Sequence, residues 1–199
     1  PRQGVRVVSF QQERRLNDER RRPNRPRFHV SAAWRIRGDI DSEALEMSLS
    51  EIVRRHEILR TAFHATVEEC IQEILPPRRI KLFAKDLRAE PHASRLQLFQ
   101  QYMAEEAWRP FDLSSGELLR CSLVRIDDQE YILLLLVDHI AADGWSMGVI
   151  VSELSTLYQA FSSNQPSPLT ELSVQYSDFA AWQRQQLQGE YLDRLIQYW

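Results

Sequence analysis

The longest uninterrupted apolar run in the chain is YILLLLV at 131–137, and ELLRCSLVRI lies just before it across Asp127, Asp128 and Gln129. A strand apolar on successive residues must be covered on both faces. The short polar break between the two runs predicts a hairpin. FHVSAAWRIRG reads as a further strand stopped at Gly38. RTAFHATV and CIQEILP read as a pair of short strands, the second ended by Pro76 and Pro77. Helical spacing takes over elsewhere. Leu45, Leu49, Ile52 and Val53 share one face of a helix that Asp41 or Ser42 can cap. Leu96, Phe99, Met103 and Ala107 predict a helix over 93–108, and Ile150, Leu154, Leu157, Tyr158 and Phe161 another over 146–161. SSNQPSPLTE at 162–171 is the one convincing internal linker, and YSDFAAWQRQQLQGEYLDRLIQYW predicts a closing helix. Strands and helices mix without strict alternation. The expected fold class is therefore α/β (α+β), a two-layer sandwich with a mixed sheet covered by helices.

Composition narrows the function. A chain of 199 residues holds one domain with a proper core, or two small lobes. A net charge of −3 implies no global attraction to nucleic acid or to an anionic membrane. The arginine-rich stretch ERRLNDERRRPNRPR is diluted by Glu13, Asp18 and Glu19 and lacks interleaved aromatics. It reads as a solvated helix face followed by a loop at Pro23 and Pro26. Cys70 and Cys121, the two cysteines, form neither a metal-ligand spacing nor a disulfide framework, which fits a reducing cytoplasm. No apolar run approaches the ~20 residues that span a bilayer, and the charged start is no signal peptide. The chain does not open on Met, so it is expected to be a piece of something longer.

Candidate chemistry concentrates where the central strand ends, in DHIAADGWSM. Ligands of open α/β sheets tend to bind beyond strand carboxyl ends. His139 placed there can take a proton from a nucleophile near neutral pH. Gly144 permits a tight turn or a close backbone approach. The following helix points free N–H groups back at the same spot, where they can hold an oxyanion. The other histidines, His29, His56, His64 and His92, read as ordinary hydrogen-bonded surface residues.

DHIAADGWSMGVIVSEL resembles the HHxxxDG motif of the condensation domains of nonribosomal peptide synthetases, which share a fold with chloramphenicol acetyltransferase. Further segments match in the family's order. RRHEILRTAF at 54–63 resembles its arginine-containing second motif, and IRGDIDSEALEMSLSEIVRRHE the elements leading into it. FDLSSGELLRCSLVRI and SVQYSDFAAWQRQQLQGE, with the terminal YW, resemble later parts of the family's N-terminal lobe. The resemblance implies that residues 1–199 are that N-terminal lobe, the C-terminal lobe being absent, with the active site in a tunnel between the two. It further implies amide formation between an aminoacyl acceptor and an acyl or aminoacyl thioester donor, which the lobe alone would not perform. No cofactor would be bound directly. Donor and acceptor peptidyl carrier proteins, beside a neighbouring adenylation domain, would deliver both substrates on 4′-phosphopantetheine arms. His139 is the catalytic residue by position. Asp138, Asp143, Gly144, Trp145, Ser146 and Arg60 complete the motifs, with Asp143 expected to pair with Arg60.

Three positions depart from the family pattern. Asp138 stands where a first histidine is usual, a carboxylate that would favour the charged form of His139. Arg15 replaces an apolar residue, and Leu16 a tryptophan. With Asp143 and Ser146, Asp138 also matches the pattern of heterocyclisation domains, so heterocyclisation and a non-catalytic docking or gatekeeping module are the alternatives.

Overall fold

The apolar run at 131–137 becomes an inner strand of a four-stranded sheet in the computed structural model, which describes residues 4–22, 29–66 and 69–198. In chain order the first elements are β1 (Gly4–Val7), α1 (Phe10–Arg21), β2 (His29–Arg37), α2 (Ser42–Arg55), β3 (Thr61–Ala65) and β4 (Cys70–Ile74). They continue with β5 (Phe83–Asp86), α3 (His92–Trp108), β6 (Leu119–Asp127), β7 (Glu130–Asp138), α4 (Gly144–Ser162), α5 (Tyr176–Gln186) and α6 (Gly189–Tyr198). The larger sheet has the order β2-β7-β6-β5; its last pair is parallel and the others antiparallel, so the sheet is mixed. A smaller antiparallel sheet has the order β1-β4-β3.

Both faces of β7 are covered, as its unbroken apolarity requires. Leu133, Leu135 and Val137 pack against Leu49, Ile52 and Val53 of α2 and Ile150, Leu154 and Leu157 of α4. Ile132, Leu134 and Leu136 face the opposite way, onto Leu16, Phe63, Phe99, Tyr102 and Phe111. Each leucine buried completely in this way contributes about 2 kcal/mol relative to exposure. α2 starts where expected: the Asp41 carboxylate accepts the Ala44 N–H at 2.9 Å and satisfies a first-turn donor.

Two expectations need correction. The inward stripe of α3 runs through Phe99 and Tyr102, leaving Leu96 45% exposed. Tyr102 is drawn in because its hydroxyl shares a 2.7 Å hydrogen bond with Ser122 on β6. The closing helix is two helices, because Gly189 adopts a left-handed φ of 56°. The 163–175 segment has no regular structure, yet its carbonyls at Leu169 and Thr170 accept from the Arg55 guanidinium. Pro23 and Pro26 lie outside the described residues.

α1 is fixed at its start by a reciprocal cap between Ser9 and Gln12. α5 then grips it: Gln183 accepts the Phe10 N–H at 3.0 Å, and Arg184 binds the Val8 carbonyl and Glu13. α1 and α5, far apart in sequence, are thus packed together.

Candidate active site at the end of the central strand

β7 runs out at Asp138, and the chain reverses at once. The Asp138 N–H donates to the Leu118 carbonyl at 3.1 Å, and its own carbonyl accepts the Ala141 N–H at 2.9 Å. The result is a tight turn, residues 138–141, with His139 at its second position. Asp138 is 0% exposed and Ile140 is also buried, while His139 between them faces outward. The turn therefore presents one imidazole from a backbone anchored on either side.

Asp138 does not lie beside the His139 ring as a bare surface carboxylate. Its Oδ1 accepts the Ile140 N–H at 2.9 Å, and its Oδ2 accepts Arg15 Nη2 at 3.0 Å. Arg15 reaches Glu19 one turn on, through Nη1 at 2.7 Å. The arginine-rich stretch is otherwise solvated as expected, with Arg14, Arg20, Arg21 and Arg22 exposed, and Arg15 is the exception. Arg15 is only 8% exposed, because α1 packs its Leu16 side into the core beside β7.

The expected Arg60–Asp143 pair does not form. Asp143 is the N-cap of α4: its Oδ1 accepts the Ser146 N–H at 2.8 Å and the Ser146 hydroxyl at 2.7 Å. These bonds hold its carboxyl below the usual carboxylate range, with a smaller contribution from the His139 charge. Arg60 instead donates to the Leu75 carbonyl and lies 3.6 Å from Glu57. A local cap three residues away wins Asp143, and Arg60 is buried at 4% exposure against the end of β4. The Ser146 N–H is consequently not free to hold an oxyanion.

Gly144 also differs from expectation. Its φ is not in the left-handed region, and a Cβ built there would meet nothing within 4 Å. No close approach inside this chain requires a glycine. Trp145 is 85% exposed and, with Val149 and Val174, lines an open groove that adjoins the turn through Ala141 and Ala142.

His29 is not the ordinary surface residue that the sequence suggests. It is the register partner of Asp138 across β2 and β7, so the two side chains share a sheet face. Its ring meets Phe111 edge-on at 4.8 Å, and the Arg120 guanidinium lies over the same phenyl ring at 4.0 Å. Burial pulls the His29 pKa below its ordinary value, with Asp138 opposing the shift. His56 is tied to Glu153 at 2.9 Å, and His64 lies 3.5 Å from Glu73. The only sequence signal for the Arg15–Asp138 contact was that two unusual residues of opposite charge occurred in one chain.

No helix among the described residues is long and apolar enough to cross a membrane. One of the proteins that make up linear gramicidin synthase in Brevibacillus parabrevis is 44% identical over 192 residues, covering 96% of this chain and 2% of that protein. Phosphinothricin tripeptide synthetase PhsC from Streptomyces viridochromogenes is 40% identical over 96% of this chain and 18% of its own length. Among solved structures, the X-domain of teicoplanin biosynthesis in complex with OxyB superposes with a TM-score of 0.84 at 29% identity, over 96% of this chain and 40% of that one. A variant of the starter condensation domain of rhizomide synthetase reaches a TM-score of 0.85 at 18% identity, over 100% of this chain and 48% of its own, a likeness of fold. The chain thus spans a small part of the synthetases it matches and under half of these solved neighbours. The family model described as Condensation domain matches residues 2–199, and the chain belongs to that family.

Proposed function

We propose that this chain is the N-terminal lobe of an amide-forming condensation domain and that His139 is its catalytic residue. The observation that carries the reading is the His139 turn: an outward imidazole held between two buried residues at the carboxyl end of the central strand. The similarity to peptide synthetases supports the reaction class. The acceptor amine attacks the donor thioester carbonyl, a C–N bond forms, the C–S bond breaks, and the amine gives up a proton. His139 is placed to take that proton and to steady the amine as it attacks. Donor and acceptor peptidyl carrier proteins bring the two thioesters on phosphopantetheine arms, and a neighbouring adenylation domain loads its carrier. The C-terminal lobe closes the site against water. Exposed Trp145, Val174, Trp182, Tyr191 and Ile196 give that lobe an apolar surface to cover.

The test is made in the longer protein, with both lobes and both carriers loaded. His139→Ala is expected to cut amide formation by on the order of 10²–10⁴-fold, and the isolated chain to make no product. Near wild-type turnover in the variant would sink the assignment, and a thiazoline or oxazoline product would assign heterocyclisation instead. A second reading, a docking module without chemistry, draws on the solved neighbour captured in complex with OxyB. Carrier binding with no product from the unmodified protein would favour it.

A further inference from the structure

Asp138 is a carboxylate with no exposed surface, and Arg15 reaches it from a helix 123 residues away in sequence. A carboxylate buried this completely is strongly disfavoured without a cation, so Asp138 depends on Arg15, which Glu19 helps to hold in place. Arg15 and Asp138 are also two of the three positions at which the sequence departs from its family's pattern. The structure shows those two departures in direct contact.

The contact does more than balance charge. One carboxylate oxygen takes the guanidinium, and the other takes the N–H of Ile140, inside the turn that carries His139. The backbone of Asp138 is in turn bonded at both its N–H and its carbonyl. If the carboxylate swings out to find water, it releases the Ile140 N–H and drags residues 138–141 with it. The orientation of the His139 ring is therefore coupled to the ion pair. α1, on which Arg15 rides, is itself held by Gln183 and Arg184 of α5.

We propose that Arg15 and Asp138 are a positioning pair for His139: the buried ion pair locks the turn so that the imidazole is fixed in its outward orientation. The proposal rests on His139 acting in the reaction, and it makes neither partner a catalytic residue. It predicts a specific non-additivity. Arg15→Met leaves a buried carboxylate without its cation, and Asp138→Asn leaves the Arg15 guanidinium with Glu19 but without the charge that holds it at the turn. The double variant leaves neither, and its amide oxygen can still accept from Ile140.

The experiment compares the three variants in the longer two-lobed protein, by amide formation from loaded carriers and by the position of the His139 ring cross-peak in NMR. That peak is assigned by its loss in His139→Gln. Each single variant is expected to lower kcat by on the order of 100-fold with KM little changed, and to move the cross-peak. The double variant is expected to recover most of that loss and return the peak. Singles that fold and keep kcat within about twofold with an unmoved peak would overturn the proposal, as would a double variant no better than the worse single. Should Arg15→Met fail to fold, Arg15→Lys serves instead. It keeps the charge but lacks the planar fork that bridges Asp138 and Glu19, so a kcat between wild type and Asp138→Asn is expected and an unchanged one counts against the proposal. If the unmodified protein forms no amide, the catalytic reading falls, and the cross-peak alone decides the pair.

Discussion

Asp143 and Ser146 are joined twice: one carboxylate oxygen accepts both the backbone N–H and the hydroxyl of the serine. That relationship assigns the motif aspartate to the start of α4 and makes it a helix cap. Asp143→Ala is predicted to cost about 1 kcal/mol, the ordinary value of an N-cap, and Asp143→Asn less. Because the carboxyl is held below its usual value of 3.8, its contribution is present at neutral pH and is lost as pH falls through the folded value. Urea titrations at pH 7 and pH 3 check both statements.

Arg60→Ala is predicted to cost more, about 3 kcal/mol, since it leaves Glu57 and the Leu75 carbonyl without their buried partner. Arg60 and Asp143 are held by different neighbours. A double-mutant cycle between them should give a coupling energy within about 0.5 kcal/mol of zero. A coupling above about 1 kcal/mol would restore the pairing that the structure replaces.

Gly144→Ala is expected to fold as well as the wild type or slightly better, because the added methyl meets nothing and alanine loses less backbone freedom than glycine on entering a helix. Thermal melts of the isolated chain measure this. A loss of turnover in the two-lobed protein with the melting temperature unchanged would locate the need for glycine in the substrate or in the second lobe.

His29 gives the protein a pH dependence of known sign. Its folded pKa lies below the ordinary value of 6.5, so the unfolded chain binds the proton more readily. Its contribution to stability is complete above that value and falls as pH drops through it. Denaturation measured from roughly pH 5 to pH 8 should show a slope that flattens in His29→Phe. An identical slope in that variant would remove His29 as the source.

Cys121 is buried in the core beneath α2, and its thiol pKa is pushed up to about 12 by desolvation. It should resist iodoacetamide at pH 8 and become labelled only at the rate of global unfolding. Cys70, half-buried with its thiol also raised, should react slowly without unfolding. Mass-resolved labelling time courses distinguish the two.

The parts of this fold legible in the sequence are those specified locally. The β6–β7 hairpin, α2 and α4 each carry their own periodicity and punctuation, and each is found where the pattern puts it. β1 and β5 are not legible there, because four residues carry too little pattern and their partners lie far along the chain. The Asp143 cap is legible in principle, since an aspartate just before a helix start is a capping signal. Neither Arg15 with Asp138 nor His29 with Asp138 could be read in advance, since strand register and helix docking set both contacts.

The same separation has a consequence for how the chain is made. At a synthesis rate of roughly 5–20 residues per second, Asp138 follows Arg15 off the ribosome by roughly 6–25 s, given the 123 residues between them. α5, which clamps α1, emerges later still. Throughout that interval α1 has neither of these two anchors. Until they emerge, α1 is open to chaperones and proteases, and the His139 turn lacks its ion pair.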